Sequence, residues 1–220
     1  MGRRFKALGL ALMAVGLLAA VGAAGAQAIP LFEANSYPAT ITGDQVAGEE
    51  LKLTIEKGLT TECETRHFHA VLSEAANNVL ASTEQKGCKA FGIVNATTNQ
   101  NGCEFSFEVS EKLSTDKYQG TADFICPAGK KMTIVTATCE IQVGTQENLG
   151  PIYYENSTEA GHVTLKPQIE KQIKYTKTKD GLFCPLEGLG EKSDGSFVGN
   201  TTVKGEAIGG GTAIGIKVAG

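Results

Sequence analysis

Cys63, Thr65, His67 and His69 fall at alternate positions of one extended stretch, so a thiol and two imidazoles project from a single strand face. His-x-His on a strand is a spacing that can hold a metal, with a thiolate as a further ligand. The opposite parity, Phe68, Ala70 and Leu72, can supply the buried face, which leaves His67 and His69 outside as ordinary polar residues. Glu62 and Glu64 have the wrong parity to join them, and spacing names no further ligand. No metal or cofactor is therefore expected, with Cys63, His67 and His69 as the candidates if a metal binds. His162 is the third and last imidazole.

Nucleophilic catalysis finds no better footing. The chain has no Gly-x-Ser-x-Gly elbow, and a bridged cysteine offers no thiolate. Gly209-Gly210-Gly211 lacks the Lys-Ser/Thr of a phosphate loop and reads as a turn before a final strand. Glu49-Glu50 reads as a solvated loop. Lys166, Lys171, Lys174, Lys177 and Lys179 form the one dense basic stretch. Charges along an exposed strand prevent edge-to-edge pairing, which is the expectation here; the competing use is contact with an acidic cell-envelope or extracellular polymer. Asn95-Ala96-Thr97, Asn156-Ser157-Thr158 and Asn200-Thr201-Thr202 match the glycosylation acceptor pattern and read as turn residues.

Strands must position all of these groups. Leu51, Leu53 and Ile55 alternate with Lys52, Thr54 and Glu56, the signature of a half-buried strand. Cys103, Phe105, Phe107 and Val109 alternate with Glu104, Ser106 and Glu108, and Ala122, Phe124 and Cys126 do the same downstream. With Ser114 and Thr115 at the tip of a hairpin, Phe107 faces Ala122, Phe105 faces Phe124 and Cys103 faces Cys126. Pro127-Ala128-Gly129-Lys130 then turns the chain into Met132 and Ile134, while Cys139, Ile141 and Val143 continue in the opposite parity, so a break near Ala137 is implied. Further strands are expected at residues 38–43, 60–72, 79–85, 151–155, 162–166, 173–178, 196–206 and 212–218. Residues 74–80 alone have a helical flavour. Short, closely spaced strands without intervening helices predict an all-β fold, an antiparallel β-sandwich, with a β-barrel or two small β subdomains as alternatives.

The N-terminus reads as a cleavable signal peptide over residues 1–28. Arg3, Arg4 and Lys6 form a positive n-region, an apolar run follows from Ala7 to Ala20, and Ala26-Gln27-Ala28 predicts cleavage before Ile29. The run is too short and wrongly flanked to remain as a membrane span, and no lipid-attachment signal is evident. Residues 29–220 are expected as one domain, with a weak sub-boundary near 146–150. Losing three positive charges moves the net charge from −4 to about −7, which argues against nucleic acid as a partner.

The six cysteines in an exported chain imply three disulfides, and spacing leaves fifteen pairings open. The hairpin register suggests Cys103 with Cys126, although opposite β-carbons about 4.5–5.5 Å apart make that bridge strained. The competing set is slightly preferred: Cys88 with Cys103, Cys126 with Cys139, and Cys63 with Cys184.

Tyr37-Pro38-Ala39-Thr40-Ile41-Thr42-Gly43, Gly87-Cys88, Asn101-Gly102-Cys103, Cys126-Pro127-Ala128-Gly129-Lys130 and Thr138-Cys139-Glu140 resemble a family of exported six-cysteine β-rich proteins of actinobacteria. The resemblance extends to Tyr175-Thr176-Lys177-Thr178 and Cys184-Pro185-Leu186. It implies an exported, cysteine-bridged β-protein of a soil-type bacterium, and brings no activity and no catalytic residue. Two function classes follow. The first is a secreted, non-catalytic binding or structural module of the cell surface or medium. The alternative is an extracellular enzyme, a hydrolase or a metal-dependent one, working from the His67/His69 strand.

Overall fold

A computed structural model describes residues 28–157, 161–182 and 184–220. The export segment, apart from Ala28, and Thr158 of one acceptor pattern lie outside the described residues. The strands in chain order are β1 Leu31–Ala34, β2 Ala39–Gln45, β3 Lys52–Ile55, β4 Leu59–Leu72, β5 Asn78–Ala90, β6 Val94–Asn95, β7 Thr97–Asn99, β8 Glu104–Ser114 and β9 Lys117–Ile125. They continue as β10 Met132–Val135, β11 Cys139–Val143, β12 Gln146–Asn156, β13 His162–Asp180, β14 Gly190–Val198, β15 Thr201–Ala207, β16 Ala213–Ile214 and β17 Ile216–Ala219. One 3-10 turn at Glu56–Gly58 is the sole helical element among the described residues.

The expected antiparallel all-β architecture is present, and its layers are continuous round both edges. Strands β15, β2, β4, β5, β8, β9, β12 and β13 pair in that order, and β13 returns to β15, closing a barrel-like ring of eight. Closure leaves no free edge in this half. Strands β4, β5 and β13 run on beyond the ring and frame a second half. There β3 and β14 fill the gap between β4 and β13. On the other side β11, β10 and β7 lead from β13 back toward β5, where the Ala96 N–H donates to the Cys88 carbonyl at 2.9 Å.

Alternation explains the core. The β8–β9 hairpin has the register expected from its apolar positions, Phe107 opposite Ala122 and Phe105 opposite Phe124. Strands β10 and β11 pair with Ile134 opposite Ile141, separated by the break expected near Ala137. Five phenylalanines, Phe68, Phe105, Phe107, Phe124 and Phe197, form a layer across the interior, with ring centroids 4.9–6.4 Å apart. Strand β1 pairs with β17 as a separate ribbon, and Phe32 on it meets Tyr154 edge-on at 5.2 Å. Asn156 holds this ribbon by accepting from the Val218 N–H and donating to the Val218 carbonyl, both at 2.8 Å.

Several expectations are corrected. Residues 74–80 are not helical: Ala76 bridges Phe32, and β5 begins at Asn78. Residues 162–166 and 173–178 belong to one long strand, because β14 takes up the pairing at Gln168 where β12 leaves off at Pro167 and carries it across a bulge at Lys171 (φ 52°). Residues 196–206 divide into two strands at Gly199-Asn200, where the chain passes from one half to the other. Strand β13 has neighbours along both sides, β12 then β11 on one and β15 then β14 on the other, so Lys166 and Lys177 do not lie on an open edge; between Pro167 and Thr176, where Lys171 and Lys174 fall, only β14 pairs with it. Lys177 is fully buried, donating to Asp180 at 2.7 Å and to the Leu186 carbonyl at 2.5 Å.

The preferred disulfide set is also overturned. The bridges are Cys63–Cys88, Cys103–Cys126 and Cys139–Cys184. Two join residues held near each other by hydrogen-bonded strands, as hairpin register suggested for Cys103. The third pins the connection after β13 to β11.

Candidate functional site

On β4 the structure separates the residues that parity had grouped. Cys63 is buried and bridged, so it has no thiolate to offer a metal or a substrate. His67 and His69 lie on the outer face, His69 exposed and His67 half-buried. His67 Nδ1 is 2.5 Å from Asp44 Oδ1 on β2, and Asp44 is the residue opposite it in the register. The other flanking strand puts Glu84 opposite His67 and Ser82 opposite His69. No group of three or more His, Cys, Asp or Glu side chains among the described residues is arranged to hold a metal ion. The third imidazole, His162, stands apart from these on the rim of an open polar cleft, with Asp116 and Lys204 also lining it.

The interior is not packed solid. Above the phenylalanine layer, inside the closed ring, an apolar chamber of about 60 Å³ is lined by Phe32, Ile41, Phe68, Phe107 and Val163 among others. Below the layer a second chamber of about 50 Å³ is bounded by Phe105, Phe124, Ile134, Ile173 and Phe197, and Arg66 and Gln85 line it too.

Arg66 is the unusual member. It sits on β4 directly opposite Gln85 on β5, both side chains pointing inward. Only 6% of its surface is exposed, and no carboxylate among the described residues pairs with it. Its guanidinium donates to Gln85 Oε1 at 2.7 Å and to the Leu51 carbonyl at 3.4 Å, and packs over the Phe197 ring at 5.2 Å. Nε has no acceptor. Burial pulls its pKa down to about 10, which leaves it charged at neutral pH. An isolated buried charge costs several kcal/mol, so this position is held against a penalty that neutral neighbours only partly offset.

The local backbone explains how a charged residue comes to face inward. Buried positions on β4 run Thr61, Cys63, then Arg66, Phe68, so the alternation changes phase between Cys63 and Arg66. Opposite this point Gly87 adopts φ of 64°, with the Glu64 side chain against it. Arg66 shares parity with Phe68, Ala70 and Leu72, and that was the signal in the sequence that could have found it.

No family model, no curated protein and no solved structure matches the chain.

Proposed function

We infer that this chain is a non-catalytic binding module, exported from a bacterial cell of the actinobacterial type that its cysteine pattern resembles, and working in the medium or at the cell surface. The observation that carries the reading is the chambered apolar interior held within a disulfide frame. An eight-stranded ring has an interior either filled by its own side chains or able to hold one small ligand, and here the filling is incomplete. All six thiols are bridged, a state that persists outside the reducing cytosol.

A second reading, an extracellular hydrolase or metal-dependent enzyme, draws on the Asp44–His67 contact, because a carboxylate on Nδ1 orients an imidazole as a general base requires. The two readings share export and part on ligand and metal. Expressed with its N-terminal segment in an actinobacterial host, the protein is expected in the medium with Ile29 as its first residue. Under xenon pressure, NMR signals from Phe68, Phe107 and Val163 are expected to shift saturably. Dialysed protein is expected to retain no zinc or copper. Reduced protein confined to the cytosol would sink the export reading; bound metal, or a hydrolysis lost in His67→Ala, would replace the binding module with the enzyme.

A further inference from the structure

We propose that the open edge of β13 at residues 168–174 is a docking site for a short, uncharged extended peptide, which pairs its main chain with Lys174 and seats an aliphatic side chain on Leu149. The proposal rests on the binding-module reading and names a partner class for it, at a place outside both chambers.

The sheet is interrupted here. Strand β12 leaves β13 after Ile152 opposite Pro167, and β11 joins it at Gln142 opposite Thr176, so between these points no strand among the described residues pairs with the side of β13 that faces away from β14. Strand β12 does not follow because its first residues turn to β9. Gln146 lies opposite Phe124 and Leu149 opposite Ala122, and the Asn148 N–H donates to Asp123 Oδ1 at 2.8 Å. The space left is a cleft of about 320 Å³ lined by Thr145, Gln146, Glu147, Leu149, Gln172 and Lys174, room for a few residues of peptide. Leu149 is the apolar member of this set.

Two glutamines fill the place of the missing strand. Gln146 Oε1 accepts the Lys174 N–H at 2.7 Å and its Nε2 donates to the Lys174 carbonyl at 2.9 Å, the two bonds that a residue of an antiparallel neighbour would make. Gln172 does the same from β13 toward the Gly150 N–H and carbonyl on β12. Because a side chain spans the gap, the two backbones stand farther apart than the roughly 4.8 Å of a ladder. A glutamine amide on rotatable bonds gives way when a peptide group replaces its two hydrogen bonds, which makes the exchange nearly even and leaves the burial of an aliphatic side chain to drive it. Charge sets the peptide's composition. Glu147 and Lys174 line the cleft with opposite signs, so neither an acidic nor a basic segment is favoured. A second copy of this chain is the poorer occupant, since two such edges laid together would set Lys171 and Lys174 against the same lysines.

The test uses the disulfide-intact protein and the peptide acetyl-Thr-Val-Thr-Val-Thr-amide, read by NMR shifts of the Lys174 amide and the Leu149 methyl groups. Saturable shifts of both signals are expected. Alternate residues of an extended chain point their N–H groups to opposite sides, so the peptide is also made with backbone N-methyl groups on both valines, or on all three threonines. One of these two should bind about tenfold more weakly than the parent peptide; equal binding by both would remove main-chain pairing and the proposal with it. Glycine in place of both valines should weaken binding about tenfold, and no change would remove the seat on Leu149. Gln146→Ala, with the edge already free, should bind at least as tightly as the parent protein, whereas a tenfold loss would make Gln146 itself the contact and overturn the exchange. Lys174 shifts that grow with protein concentration in the absence of peptide would give the edge to a second copy and overturn the proposal. The peptide series needs no variant, so it decides the matter even if Gln146→Ala does not fold. Should the peptides fail to bind while xenon enters the upper chamber, this proposal falls and the binding-module reading stands; should both fail, both fall.

Discussion

Glu155 on β12 receives Lys166 at 2.7 Å from β13 and Lys117 at 3.4 Å from β9, so one carboxylate links three neighbouring strands of the ring. The hydrogen bond from Lys166 is the main reason its carboxyl is held below the usual carboxylate range. A depressed carboxylate pKa contributes stability at pH values above the unfolded-state value, here 4.5, and that contribution is lost as pH falls through the folded value. Glu155→Gln should therefore cost about 0.5 kcal/mol from pH 5 to 7, a small figure because the pair is partly solvated, and the cost should shrink as the medium is made more acid than 4.5. Urea unfolding of both proteins across that range checks it; a difference that persists in acid would assign the effect to packing. Lys166 was legible as a strand lysine, but its partner was not, because the partner depends on how two distant strands register. At Arg66 and Lys177 residue type and strand parity point opposite ways, and parity prevails. Each sits in phase with apolar neighbours, and each is tolerated because neutral oxygens, or one nearby carboxylate, accept its protons.

Strands were legible where one face is apolar over several residues, as in the β8–β9 hairpin, whose register followed from Phe105, Phe107, Ala122 and Phe124 alone. They were misread where a strand is buried on both sides or changes phase. Strand β13 looked like an edge because its lysines alternate, yet neighbours flank it at Lys166 and Lys177, and Lys166, Lys177 and Lys179 each have a partner of their own. The bend at Gly87 was invisible for a different reason: it reflects backbone conformation, which no alternation reports. Gly120, in the middle of β9, shows the same limit and yields a sharp prediction. A β-carbon there would lie 1.8 Å from the Glu108 carbonyl oxygen, which also accepts from the Tyr154 hydroxyl at 3.0 Å. Since β8 cannot retreat without breaking its pairing to β5, Gly120→Ala should destabilise by about 3 kcal/mol, an overpacking cost. Chemical denaturation measures it, and a loss below about 0.5 kcal/mol would mean that the hairpin is free to splay.

For the molecule as a whole, the two halves share three long strands but are secured differently. The upper ring closes through backbone pairing all the way round and is covered by the β1–β17 ribbon. The lower half has less pairing to rely on, and all three disulfides lie in it or at its junction with the ring. A bridge restrains the unfolded chain more strongly when it closes a longer loop. Cys139–Cys184 spans 45 residues, against 25 and 23 for the others, so its loss should cost about 4 kcal/mol, about 0.5 kcal/mol more than either shorter bridge. It also anchors the segment that carries the Leu186 carbonyl to Lys177, so the double variant Cys139→Ser/Cys184→Ser releases a buried ammonium from one of its two acceptors. Hydrogen exchange should then show protection lost in β11 and the end of β13, with β2, β15 and the β8–β9 tip unchanged. Equal loss in the closed ring would show instead that the shared strands β4, β5 and β13 bind both halves into one cooperative unit, and that opening the lower chamber requires unfolding the whole barrel.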